Sequence, residues 1–96
     1  MYETTKEDIL QAQNDNGEML SEILENNAGL IWSIVKRFSG RGYELEDLYQ
    51  IGCIGFIKAI KRFDATFEVK LSTYAVPYIL GEIKRFIRDD RIGKNK

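Results

Sequence analysis

Apolar residues recur along most of this chain at steps of three and four, the period of an α-helix with one buried face. Between Glu18 and Phe38 they are Leu20, Leu24, Ile31, Ile34 and Phe38. Asn27 falls on the same stripe, where a side-chain amide either bends the helix or hydrogen-bonds across it. Upstream, Thr4-x-x-Glu7 and Thr5-x-x-Asp8 both have capping-box spacing, so a short helix is expected from about Thr5 to Gln13. Asn14-Asp15-Asn16-Gly17 is a turn cluster, and Ser39-Gly40-Arg41-Gly42 ends the second helix. A third helix is expected from Glu44 to Arg62. Asp64 to Leu71 reads as a loop, with Ser72 as N-cap of a fourth helix reaching about Asp90. Pro77 removes one backbone hydrogen bond from that helix and is expected to kink its first turns. Phe67 to Leu71 alternates with period two, but it has no partner strand, and a lone strand is not stable. The expected fold is all-α, a small four-helix domain.

Helical wheels divide the last two helices into two faces each. In the third, Leu45, Leu48, Tyr49, Gly52, Gly55, Phe56, Ala59, Ile60 and Phe63 gather on a core face. Glycine is costly inside a helix, so Gly52 and Gly55 on that face indicate another helix approaching closely. The opposite face carries Asp47, Gln50, Ile51, Ile54, Ile57, Lys58 and Lys61. A contiguous apolar patch rimmed by polar groups marks a protein interface; the alternative is a bundle that wraps this helix on both sides. In the fourth helix Val76, Ile79, Leu80, Ile83, Phe86 and Ile87 form the core stripe. Tyr74, Pro77, Tyr78, Gly81, Lys84, Arg85 and Arg88 form the other. Rings at one end and cations at the other suit a single-stranded nucleic acid, whose bases stack while its phosphates are neutralised. The alternative is a solvated basic face with two tyrosines packed at its edge.

Charge sharpens this picture. The net charge of the 96 residues is −1. Residues 1–27 hold one lysine and seven acids, whereas residues 28–96 hold thirteen Lys/Arg and eight acids. The later part is therefore the one suited to an anionic partner. The chain divides into an acidic N-terminal helical segment (1–16), a helical domain (17–92) and a basic tail (93–96), in which Lys94 and Lys96, with Arg91 before them, extend the positive charge. The acidic segment is expected to pack weakly on the rest, because Ile9 and Leu10 are its main apolar residues.

Other chemistries recede. With no histidine and one cysteine, the chain lacks the usual general base, a thiolate metal cage and an internal disulfide. Glu44, Glu46 and Asp47 cluster, but at a helix N-terminus, where acids favour the dipole. No enzyme activity, metal or cofactor is expected. No apolar run reaches membrane-spanning length and no signal peptide is evident, so the expected location is the cytoplasm, away from any membrane.

The segments Asn27–Phe38 (NAGLIWSIVKRF), Asp47–Asp64 (DLYQIGCIGFIKAIKRFD) and Lys70–Asp90 (KLSTYAVPYILGEIKRFIRDD) resemble region 2 of bacterial sigma-70 family RNA polymerase sigma factors. The resemblance covers about residues 18–92, in the family's order and spacing. AVPYILGEIKRFIRDD looks more like the sporulation-type alternative sigma factors than the housekeeping ones.

This resemblance implies a transcription initiation role with two surfaces. The Asp47–Arg62 helix would dock on the clamp coiled coil of the polymerase β′ subunit, through positions matching Asp47, Gln50, Ile51, Cys53 and Ile57, with Ile54 of the outward apolar trio joining them. The segment from Val69 to Arg88 would melt the promoter −10 element and hold the single-stranded non-template bases. Its matching positions are Lys70, Thr73, Tyr74, Pro77, Tyr78, Gly81, Lys84, Arg85 and Arg88. Tyr74 matches the aromatic beside the first unpaired base, and Lys84, Arg85 and Arg88 would track phosphates. An anti-sigma factor is a further implied partner. Leu71 replaces a phenylalanine and Pro77 a tryptophan, so two stacking surfaces are missing and intrinsic melting is expected to be weak. The family's helix-turn-helix for the −35 element has no counterpart here, as expected of an excised or truncated domain. A second reading is a decoy that binds polymerase or an anti-sigma factor without touching DNA; the basic, aromatic face of the fourth helix argues against it.

Overall fold

The computed structural model describes residues 4–64 and 66–94, with side chains as far as residue 90. The charge extension at Arg91, Lys94 and Lys96, and the tail 93–96 that holds two of them, therefore lie outside the described side chains. Five α-helices follow in order: α1 (Lys6–Gln13), α2 (Gly17–Asn26), α3 (Ala28–Val35), α4 (Leu45–Arg62) and α5 (Leu71–Lys94), with a 3-10 turn at Lys36–Phe38. No strand occurs among the described residues, so the all-α expectation holds.

The expected four helices become five because Asn27 splits the second. Its side-chain Nδ2 donates to the Ile23 carbonyl at 2.8 Å, and its backbone sits at φ −115°, ψ 12°, outside the helical well. Asn27 thus closes α2 while its own carbonyl accepts the first bond of α3, from the Ile31 amide at 3.2 Å. At the other end, α5 starts before Ser72. The Lys70 carbonyl already accepts from the Tyr74 amide at 3.0 Å, so Ser72 lies inside the helix rather than capping it. The helix continues through Pro77 and past Asp90.

Local chemistry explains the remaining boundaries. Thr5 caps α1: its hydroxyl accepts from the Asp8 amide (3.1 Å), and the Asp8 carboxylate accepts from the Thr5 amide (3.3 Å). The Asn16 side chain caps α2 by accepting from the Met19 amide at 3.0 Å. Gly40 and Gly42 adopt φ +79° and +86°, a left-handed region that only glycine enters cheaply, and there the chain turns towards α4.

The core is a single apolar cluster. Ile23, Ile31, Val35, Leu48, Phe56, Ala59, Ile60, Ala75, Ile79 and Ile83 are completely buried. Each large side chain among them is worth about 1.5–3 kcal/mol of burial. The two buried glycines of α4 are where helices meet. A β-carbon on Gly52 would stand 3.0 Å from Ile31 and 3.3 Å from Ile79, and one on Gly55 would strike the backbone of Tyr78 and Ile79. Leu71 and Ala75 are buried although neither is on the stripe expected of α5.

The first helix is an integral part of this cluster, contrary to the weak packing expected of it. Ile9 and Ala12 are buried, and the Gln13 side chain hydrogen-bonds to the end of α4. Leu10 points outward, 49% exposed. The two buried residues are three apart, which suffices to seat one turn of helix against α2 and α4.

Candidate nucleic-acid interface

Successive outward turns of α5 build the candidate surface. Lys70 stands immediately before the helix, exposed. Along it Thr73, Pro77, Gly81, Lys84, Arg85 and Arg88 are exposed, and Tyr74 and Tyr78 are half-buried. The rings therefore share one face with the cations, as the helical period predicts. They do not stand free, however. Tyr74 lies 5.3 Å from the Tyr78 ring, 5.3 Å from Phe63 and 5.5 Å from Phe67. Its one hydroxyl proton has two acceptors within reach, the Tyr78 hydroxyl oxygen at 3.1 Å and the Arg62 carbonyl at 3.4 Å. The Tyr78 hydroxyl bond, which favours the protonated phenol, raises the Tyr74 pKa above its ordinary value.

Phe67 is the member of this cluster that sequence reasoning missed. It is 41% exposed and meets Phe63 edge-on at 5.6 Å. The loop is shaped beneath it by Asp64, whose carboxylate accepts from the Thr66 amide (2.8 Å) and hydroxyl (2.7 Å). Those bonds hold the Asp64 pKa below its ordinary value. Two exposed apolar residues, Phe67 and the 47% exposed Val69, in a short loop before a basic helix were the available signal. Leu71, read as a lost stacking surface, is 5% exposed and belongs to the core.

The cations are partly paired. One Glu82 carboxylate oxygen accepts from Lys58 Nζ on α4 (2.9 Å) and from Arg85 Nη2 (3.2 Å). Arg88 Nε donates to Asp89 at 3.3 Å. Surface pairs of this kind contribute about 0–1 kcal/mol, so a phosphate can compete for these cations.

On α4, Asp47, Gln50 and Ile54 are exposed, and Ile51, Cys53 and Ile57 are half-buried. Ile54 is the most open of the apolar trio at 45%. Cys53 shares a side-chain hydrogen bond with Tyr49, and burial pushes its thiol pKa up. Tyr49 in turn stacks on Trp32, with centroids 4.3 Å apart and planes 14° from parallel, a pairing that joins α3 to α4. No group of three or more metal-ligating side chains occurs among the described residues, and none of the described helices is long and apolar enough to cross a membrane.

A family model described as Sigma-70 region 2 matches residues 23–92, which include all of α3, the whole of α4 and the described outward face of α5. This chain belongs to the sigma-70 region 2 family. It is 55% identical over 85 residues to the RNA polymerase sigma-F factor of Bacillus subtilis (strain 168), covering 88% of this chain and 33% of that protein. It is 44% identical over 85 residues to the RNA polymerase sigma-G factor of Clostridium acetobutylicum, again 88% of this chain and 33% of the other. A sigma-B factor of Bacillus anthracis is 35% identical over 94 residues, 93% of this chain and 37% of that one. The sigma-F and sigma-G similarities place this region 2 domain with the sporulation-type sigma factors. The chain spans about a third of the length of these relatives.

Proposed function

We propose that this region 2 domain binds the non-template strand of a promoter −10 element through α5 and docks on the polymerase β′ clamp through α4. The observation that carries the reading is the continuity of one face. The ring cluster of Phe67, Tyr74 and Tyr78 lies on a face that continues past the exposed Gly81 to Lys84, Arg85 and Arg88. Bases unstacked from a duplex regain about 1–3 kcal/mol each on an aromatic surface. Extruding a base costs a few kcal/mol, so two or three rings come close to offsetting the opening of as many bases. Polymerase core supplies the rest by holding α4, whose exposed Ile54 sits among the polar Asp47, Gln50 and Lys61. The chemistry is binding alone, with no bond made or broken.

Fluorescence anisotropy tests this with a labelled non-template −10 oligonucleotide and a scrambled control, polymerase core being present. Tyr74→Leu keeps apolar volume against Phe63 and removes the ring. It should cost about 1–3 kcal/mol for the −10 strand and blunt the preference over the control. Arg88→Ala should weaken both strands alike and reduce the salt slope by roughly one phosphate contact, about 0.7. If both variants bind as wild type does while polymerase is still captured, α5 is a solvated face and the domain is a protein binder.

A further inference from the structure

Gln13 makes a contact that neither surface accounts for. From the last turn of α1 its side-chain Nε2 donates to two carbonyls at the end of α4, Ile60 at 2.8 Å and Phe63 at 2.7 Å. Terminal carbonyls of a helix have no later helical amide to accept from, so an outside donor is the natural partner. The partners lie 47 and 50 residues away along the chain, and the donor is held in place because neighbouring Ala12 and Ile9 are buried.

The same turn of α4 carries the candidate site. The Phe63 ring meets Phe67 at 5.6 Å and Tyr74 at 5.3 Å, and the Arg62 carbonyl accepts from the Tyr74 hydroxyl. Residues 60–63 are thus gripped by α1 on one side and bear the aromatic cluster on the other. We infer that Gln13 is a positioning residue: through the carbonyls of Ile60 and Phe63 it sets where Phe63, and with it Phe67 and Tyr74, present their rings to a single strand. The consequence for DNA rests on the proposed strand-binding role; the geometric claim does not.

A plain helix cap would stabilise the whole fold and leave the cluster's arrangement alone. The positioning role makes a more local demand. Without the amide, the α4 end relaxes, the Phe63 and Phe67 amides lose their bonds to the Ile60 and Asp64 carbonyls more often, and the rings lose register.

Two substitutions in the full chain separate these. Gln13→Met keeps the length and removes the donor. Gln13→Lys keeps a donor and places a cation at a helix C-terminus, where it is favoured. The measurements are amide hydrogen exchange, near-ultraviolet circular dichroism of the tyrosines, and anisotropy with the −10 strand. In Gln13→Met the Phe63 and Phe67 amides should exchange about 3- to 10-fold faster, the scale of one lost hydrogen bond, while those of Ile31 and Ile79 stay at wild-type rates. The tyrosine signal should change, and strand affinity should fall by a similar factor. Gln13→Lys should restore exchange and the tyrosine signal. Unchanged exchange at Phe63 and Phe67, or faster exchange with unchanged strand affinity, overturns the inference. So does a general acceleration or unfolding in Gln13→Met, which would make Gln13 a residue of the fold as a whole. If wild type itself binds no strand, the strand-binding role fails instead, and exchange and the tyrosine signal alone decide for or against Gln13.

Discussion

The carbonyl oxygen of Tyr78 lies 2.5 Å from the point that a β-carbon on Gly55 would occupy. Tyr78 therefore contributes twice, its ring to the outward face of α5 and its backbone to the closest approach of α5 to α4. Backbone cannot swing aside as a side chain can, so Gly55→Ala has to push the helices apart. It should destabilise the domain by about 1–3 kcal/mol, the usual cost of overpacking, and displace Tyr78. Urea unfolding measures the first and strand binding the second; an unchanged midpoint would show that the helices are not in contact there.

Gly81 should behave in the opposite way. Nothing lies within 4 Å of a β-carbon placed there, and the residue is exposed in the middle of α5. No internal packing accounts for a glycine at that point, whereas a ligand drawn close to the helix backbone would. Gly81→Ala should raise stability by about 0.5–1 kcal/mol. It should also weaken binding of the −10 strand with polymerase present. Stability and affinity moving in opposite directions identify Gly81 as a contact; equal or improved affinity removes it from the interface.

For the proposed clamp-facing side, Ile54 is the position to change. Ile54→Asp should shift the urea midpoint by less than about 0.5 kcal/mol, as exposed positions usually do, and abolish capture on an immobilised β′ clamp coiled coil. Ile57, half-buried, cannot separate the two effects so cleanly, and Ile57→Asp should lose stability as well. Retained capture by a folded Ile54→Asp would place the clamp contact elsewhere.

The hydroxyl pair predicts an alkaline limb. The Tyr74 pKa is raised above its ordinary value of 10.0, first by the Tyr78 hydroxyl. A group whose folded pKa is raised contributes its full stabilisation below the unfolded pKa and loses it as pH rises through the folded value. Stability should therefore decline above about pH 10, the ordinary tyrosine pKa. Burial shifts Tyr49 the same way, and also Cys53, whose ordinary value of 9.0 starts its share of the decline about one pH unit lower. In Tyr74→Phe the decline should be shallower but not absent. Superimposable pH profiles for the two proteins would mean that the hydroxyl pair carries no stability.

The all-α class, the approximate helix positions, the close approach at Gly52 and Gly55 and the two-faced α5 were all legible along the chain. They depend on local chemistry: the period of apolar residues, capping side chains such as Thr5 and the conformational range of Gly40 and Gly42. The family was legible for the same reason, since its motifs are contiguous stretches of α3, α4 and α5. Long-range distances decided the rest. Whether Ile9 belonged to the core depended on where α4 lay, and no local pattern encodes that. Asn27 could bend or bridge, and the Ile23 carbonyl one turn away, which accepts from both its backbone amide and its side chain, let it do both. Phe67 looked like a loop residue until the chain brought it beside Phe63 and Tyr74. The Gln13 amide finds its carbonyls 47 and 50 residues on, a pairing set by the packing of α1 against α4 and by no spacing in the sequence. A helical period reports which way a side chain points; only the packed helices report what it meets there.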